Sequence, residues 1–229
     1  MDFTEREQIR EWLINGRYKM AGEYPHRGCS IDAAVGCTLE CPACRRQVHK
    51  TRGLPPNENG KNMCRYEAQV LNMFYTCFQI NGQISDPVMN PDLDQILKVI
   101  KRRTSSNIHT AATPRWLTED DYRRLFAANP NIKWIFGIDG LPKDSHKYRV
   151  NQDGEKLFNM MLIAKDMGLE TCWQYIVFKY NQHDIEEAKQ LARKHGLSLE
   201  ITTSSRWNSE DDPLRPTLPQ YRGKTWFEI

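Results

Sequence analysis

The chain has 229 residues but no run of about 18 apolar ones, the least that a membrane-spanning helix needs. Met1 to Glu7 also lack the apolar core of a secretory signal. Both absences point to the cytoplasm and to no membrane partner. Charge of one sign is missing too: 32 Lys and Arg against 29 Asp and Glu leave a net +3. So mild a surplus neither demands nor excludes a phosphate-bearing substrate. Basic runs such as Lys98 to Arg103 read as the solvated face of a helix, so nucleic acid is not an expected partner. Internal repeats and low-complexity segments are absent. The seven cysteines are an odd number, unevenly spread, which argues against a secreted disulfide framework.

What is present is a soluble, globular composition, 39% hydrophobic and 27% charged, of a length that suits one domain. β-Branched and aromatic runs predict strands over 30–35, 74–80, 107–111, 132–138, 170–178 and 198–202. Between them lie helical patterns. Leu93, Ile96, Leu97 and Ile100 have three-four spacing after Asn90-Pro91-Asp92. Thr118-Glu119-Asp120-Asp121 reads as a capping box. Residues 154–167 and 184–195 end at Gly168 and Gly196, and 61–73 and 5–14 are further helix candidates. Strands alternating with helices predict parallel βαβ units. Six units in about 175 residues are too few for an eight-fold barrel. The expected fold is therefore an α/β partial (β/α)6 barrel of parallel strands with outer helices. Residues 1–25 form a helix and lead-in, 26–204 the core, and 205–229 an irregular tail carrying Pro213, Pro216 and Pro219.

Three of the cysteines, Cys37, Cys41 and Cys44, fall within eight residues directly after the first predicted strand. In a reducing compartment such a group reads as a metal site. A four-iron, four-sulfur (4Fe-4S) cluster needs a terminal ligand on each iron, and three thiolates leave one iron open. A zinc ion is the alternative, with a fourth ligand from Cys29, His26, His49 or Cys64; the paired C-x-x-C knuckles usual for zinc are missing. Cys29, Cys64, Cys77 and Cys172 read as ordinary buried thiols.

This C-x3-C-x2-C loop resembles that of the radical S-adenosylmethionine superfamily, and the resemblance runs from about residue 30 to about residue 203. It implies that S-adenosylmethionine chelates the open iron and that an electron from an external flavodoxin- or ferredoxin-like donor cleaves it to a 5′-deoxyadenosyl radical. That radical then abstracts hydrogen from a substrate. Ser85-Asp86-Pro87 looks like a variant of the family's turn for the methionine amino group, with the Asp86 carboxylate accepting from the ammonium. Phe136 to Leu141, which includes Asp139, resembles the family's fourth-strand ending. His146 to Val150 and Trp173 to His183 look like stretches of its peptide- and protein-modifying branch. By that similarity Arg149 meets a carboxylate of cofactor or substrate, or else is a solvated loop arginine. Gln174 makes a hydrogen bond inside the barrel, either to a ligand or purely structural, and Asn181 caps the helix that follows. Three positions depart from the family pattern: Ala43 where an aromatic residue usually covers the adenine, Gly137 for a serine, and Ala111 for an asparagine. No cysteine follows Cys172, so a single cluster is expected, without an auxiliary-cluster domain. A peptide or protein side chain is the expected substrate. The alternatives are a small nucleotide-derived metabolite and, in a different class, a non-catalytic zinc-binding module.

Overall fold

The computed structural model describes residues 28–51, 53, 60–82, 84–100, 106–207 and 209–222. The predicted helix over 5–14, the lead-in to residue 25 and the last residues of the tail lie outside them. Six strands carry the fold: β1 (Gly28–Asp32), β2 (Cys77–Asn81), β3 (Asn107–Thr110), β4 (Lys133–Gly137), β5 (Thr171–Val177) and β6 (Ser198–Thr203). Helices α1 (Arg45–Thr51) and α2 (Arg65–Phe74) follow β1. Then α3 (Leu93–Val99), α4 (Glu119–Ala128), α5 (Gly154–Asp166) and α6 (Ile185–His195) each separate two strands. The strands pair in chain order in one sheet, with β1 and β6 at its ends. Every pairing is parallel, with Ile31 opposite Ile80, Ile108 opposite Trp134, Phe136 opposite Trp173 and Tyr175 opposite Ile201. This is the open, six-unit α/β barrel that the sequence predicts.

Strand alternation explains the layers. Phe78, Ile80, Ile108, Trp134, Phe136, Trp173, Tyr175 and Val177 are buried beneath the helices. They meet Leu93, Ile96 and Leu97 of α3, Tyr122 and Phe126 of α4, and Leu157 and Met161 of α5 in one core. Phe126 packs edge-on against Trp134 at 4.9 Å between centroids, and Phe158 against Trp173 at 5.4 Å. The intervening residues Asn81, His109 and Gln174 are half-buried on the opposite, concave face. Residue type thus sorts the two faces of each strand into a packed outside and a polar inside.

The capping box at α4 is present: Asp121 N donates to Thr118 Oγ1 at 3.3 Å and Thr118 N donates to Asp121 Oδ2 at 2.9 Å. Boundaries move where a local bond intervenes. The predicted first strand runs to Val35, but β1 ends at Asp32, because the Ala33 carbonyl turns to accept Met63 N at 3.0 Å and Asn90 Nδ2 at 2.6 Å. The second strand starts three residues late, since Phe74 completes α2 and Tyr75 N still bonds Leu71 O at 3.0 Å. Helix α1 is not predicted. It is seven residues long, buries none of them, and so has no apolar periodicity. The described part of the tail is tied to the turn after β5, where Lys179 N donates to Leu214 O at 2.9 Å and Thr217 N to Gln182 Oε1 at 2.9 Å.

Candidate functional site

At the C-terminal ends of the strands lies a cavity of about 490 Å³, and Cys37, Cys41 and Cys44 all line it. Gly36 turns the chain from β1 into the cysteine loop at a φ of +86°, a conformation that a side chain would oppose. Cys44 N then donates to Cys41 O at 3.0 Å, closing a turn, and Leu39 N donates to Cys37 Sγ at 3.4 Å. Arg46, the second residue of α1, folds back so that Nη1 donates to Cys37 O at 2.5 Å and Nη2 donates to Leu39 O. Glu40 N reaches Val150 O at 3.1 Å and so fastens the loop to the segment after β4. The loop is held from both sides.

The thiols are largely withdrawn from water. Burial, and then the charge of Asp86, push the Cys37 thiol up to about 12. Burial raises Cys41 as well, and the Arg149 guanidinium beside it pulls in the opposite direction. Metal uptake must therefore release protons from these thiols, which makes it pH-dependent. Among the described residues no group of three or more His, Cys, Asp or Glu side chains stands ready to hold a metal ion. The cysteines share a cavity wall without closing round a point. The Thr38 hydroxyl and Arg46 Nε of the same segment are buried with no partner. Three thiols on one cavity wall, with unpaired donors in the same segment, are compatible with a thiolate-bound metal group.

The turn after β2 forms the next wall. A Cβ on Gly82 would fall 1.6 Å from the Ser85 carbonyl oxygen, so only glycine allows the chain to double back there. Ser85 lines the cavity and donates to Asp32 Oδ1 at 3.1 Å. Asp86 also lines it, but its carboxylate is spent inside the chain. Oδ1 accepts Val88 N at 3.2 Å and Thr110 Oγ1 at 2.9 Å; Oδ2 accepts Ala111 N at 2.8 Å and Ala112 N at 2.9 Å. Four donors are a full complement for a carboxylate. In this structure the Asp86 carboxylate acts as a latch across the strand ends. Pro87, expected beside the cofactor, is buried at the start of a 3-10 turn (Pro87–Met89) and does not line the cavity.

Arg149, Gln174 and Asp139 divide in the same way. Arg149 and Gln174 line the cavity, whereas Asp139 is 0% exposed and stands behind the wall. Arg149 Nε donates to Asp139 Oδ2 at 2.6 Å, and Ile176 N donates to Asp139 Oδ1 at 2.9 Å. Burial raises the Asp139 carboxyl and the guanidinium counters it. Arg149 is therefore an ion-paired residue of the wall rather than a solvated loop arginine. Gln174, by contrast, makes no side-chain hydrogen bond among the described residues, and Asn81 Oδ1, also on the wall, is buried without a partner. These amides are open to a ligand. Asn181 does not cap the following helix, whose N-cap position is Asp184; its Oδ1 instead accepts Phe178 N at 2.7 Å in the turn after β5.

Several wall residues are not among those expected from sequence. Tyr148 and Phe178 stack at 4.1 Å on the wall, supplying aromatic surface that Ala43 does not. Ser204, Ser205 and Arg206 line it beyond β6. His109 was legible, because alternation in β3 sets it opposite in face to Ile108 and Thr110. Gln152 was not: Nε2 donates to Ala111 O at 2.7 Å and to Gly137 O at 2.9 Å, bridging the two departures noted at the ends of β3 and β4.

No protein-family model matches the chain, and no curated protein does. Solved structures do. Streptococcus suis SuiB bound to the precursor peptide SuiA is 11% identical at a TM-score of 0.59, covering 87% of this chain and 43% of SuiB. The anSMEcpe protein with bound AdoMet and the Kp18Cys peptide is 14% identical at 0.55, covering 82% of this chain and 55% of its own. Methylornithine synthase (PylB) is 13% identical at 0.55, covering 88% and 59%. SuiB has also been solved bound to S-adenosylmethionine. The chain thus spans about half the length of the structures it matches. At these identities the likeness establishes the fold, and the chain has the partial-barrel fold of the radical S-adenosylmethionine enzymes.

Proposed function

We propose that this chain is a radical S-adenosylmethionine enzyme whose Cys37, Cys41 and Cys44 hold one 4Fe-4S cluster. The observation that carries this reading is that the three thiols line a single cavity at the C-terminal ends of six parallel strands. When bound, the cluster would deliver an electron to S-adenosylmethionine and so generate the deoxyadenosyl radical. The chain's own residues bind, orient and exclude water. The Arg46 hydrogen bonds and the Glu40–Val150 bond fix the thiol-bearing loop. Asp86 keeps the ends of β2 and β3 together, and Ser85, Asn81 and Gln174 offer polar contacts to the cofactor and substrate. Tyr148 and Phe178 provide apolar cover for a base.

Residues 26–204 form the catalytic core in this reading, with the preceding and following segments as appendages. A peptide or protein side chain is the favoured substrate, because the SuiB and anSMEcpe structures hold peptides. A small-molecule substrate is the second reading, supported by the likeness to methylornithine synthase. An external one-electron donor of flavodoxin or ferredoxin type completes the system. A reducing compartment such as the cytoplasm suits three free cysteines on one loop, and no described helix is long and apolar enough to cross a membrane.

Anaerobic reconstitution with iron and sulfide tests this. The expected product is a brown protein with about four irons and four sulfides per chain, which releases 5′-deoxyadenosine from S-adenosylmethionine on reduction. A colourless protein carrying stoichiometric zinc contradicts the proposal.

A further inference from the structure

The cavity spans the sheet, because its wall includes residues that follow both end strands: Cys37 after β1, and Ser204, Ser205 and Arg206 after β6. Three arginines line it, and they differ in what already holds them. Arg46 is spent on the cysteine loop, its Nη atoms donating to Cys37 O and Leu39 O. Arg149 is neutralised by Asp139, whose Oδ2 lies 2.6 Å from Nε. Arg206 has neither kind of partner. Its guanidinium is exposed and makes no ion pair or hydrogen bond among the described residues. The backbone beneath it is nevertheless fixed. Trp207, 2% exposed, packs edge-on against Phe178 at 5.8 Å, and Arg206 N donates to Ser204 Oγ at 3.1 Å. The wall also withholds a counter-charge: Asp86 is the one carboxylate on it among the described residues, and four donors already fill its oxygens. The Gln174 amide and the Ser205 hydroxyl, on the β5 and β6 side, are neutral and make no side-chain hydrogen bond among the described residues.

Resting on the enzyme reading above, we propose that the β6 side of the cavity is a carboxylate subsite, where Arg206 selects a substrate carrying one negative group. In the peptide reading that group is an aspartate or glutamate side chain. A guanidinium presents paired N–H donors that match the two oxygens of a carboxylate. Neutral hydroxyl and amide donors on the same wall add hydrogen bonds without adding charge. One unopposed positive charge balances a carboxylate, whereas a phosphate group, with a charge of about −1.5 to −2, exceeds it. A cationic substrate is repelled by Arg206 and finds no open carboxylate on the wall. An apolar one leaves the polar groups of the wall unpaired.

The test is equilibrium dialysis of the full reconstituted chain, with S-adenosylmethionine, against capped tripeptides that carry glutamate, glutamine or lysine at the centre. Glutarate serves as a small-molecule probe of the same group. Wild type should retain the glutamate peptide or glutarate about fivefold better than the other peptides, the size expected of a solvent-exposed ion pair. Which of the two it retains tells a peptide from a small acid as the source of the carboxylate. R206Q should lose the preference, and R206E should reverse it towards the lysine peptide. Arg206 is exposed, so neither change disturbs the core. A wild type that does not favour the carboxylate probes, or a preference for them that survives in R206E, overturns the proposal. So does weakened S-adenosylmethionine binding in R206Q with peptide selectivity intact, which makes Arg206 a cofactor ligand. Dialysis of the metal-free chain keeps the two readings apart. A chain that assembles no cluster contradicts the enzyme reading, while the selectivity of its metal-free form still decides for or against the subsite.

Discussion

The carboxylate of Asp86 accepts the Thr110 hydroxyl at 2.9 Å, joining the turn after β2 to the last residue of β3. Its other oxygen takes the next two backbone N–H groups, at 2.8 and 2.9 Å. D86N replaces one acceptor oxygen with an amide donor facing donors. It should destabilise the fold by about 1–3 kcal/mol, the cost of leaving buried hydrogen-bonding groups unpaired. Urea unfolding of the metal-free chain checks this. An unchanged midpoint, with S-adenosylmethionine affinity alone reduced, returns Asp86 to the role of an ammonium acceptor.

Gln152 is 6% exposed and serves two strand ends through one amide nitrogen, at 2.7 Å to Ala111 O and 2.9 Å to Gly137 O. Q152L keeps the volume and removes the donor. The expected loss is again about 1–3 kcal/mol, since two buried carbonyls lose their partner. Thermal unfolding followed by circular dichroism reads it. A wild-type melting temperature in Q152L refutes the bridge.

His109 lies on the cavity wall, and burial lowers its pKa from the usual 6.5. Above 6.5 the imidazole is neutral in both folded and unfolded chains and costs nothing. As the pH falls below 6.5 the unfolded chain takes the proton first, so stability is lost until the depressed folded pKa is passed. H109Q removes that slope. Unfolding free energies from about pH 7.5 to pH 5 should fall less steeply for H109Q than for wild type. Parallel curves refute the assignment.

The fold was legible because strand and helix periods alternate cleanly: Trp134 and Phe136 are two apart and both buried, as are Trp173 and Tyr175. The cysteine loop was legible from spacing alone. The side-chain network behind it was not. Asp86 reads as an acid in a turn until the strand ends bring Thr110, Ala111 and Ala112 to it. Gln152 and Gly137 are far apart in sequence terms and meet only through the tertiary fold. Helix α1 escaped because Val48 is its one apolar residue and none of its residues is buried; it forms where Arg46 can hold the cysteine loop. Gly137 and Ala111 looked like lost contacts in sequence. In space Gly137 leaves room beside the Arg149 guanidinium, and the Ala111 backbone carbonyl accepts from Gln152.

Replacing Cys37, Cys41 and Cys44 together by alanine separates a cluster enzyme from a zinc-dependent fold. Most of the buried core is aliphatic and aromatic and lies between the sheet and its helices, away from the loop. The triple variant should therefore keep its far-UV circular dichroism and a cooperative unfolding transition. Collapse to an unfolded chain is the outcome a structural zinc site demands.

The central claim is a three-thiolate cluster with one iron open to S-adenosylmethionine. It is tested most directly by EPR of the reduced, reconstituted protein before and after the cofactor is added. The account predicts a 4Fe-4S signal that changes shape on addition and is absent from the triple-alanine variant. A signal indifferent to S-adenosylmethionine, or one that survives loss of all three cysteines, contradicts it.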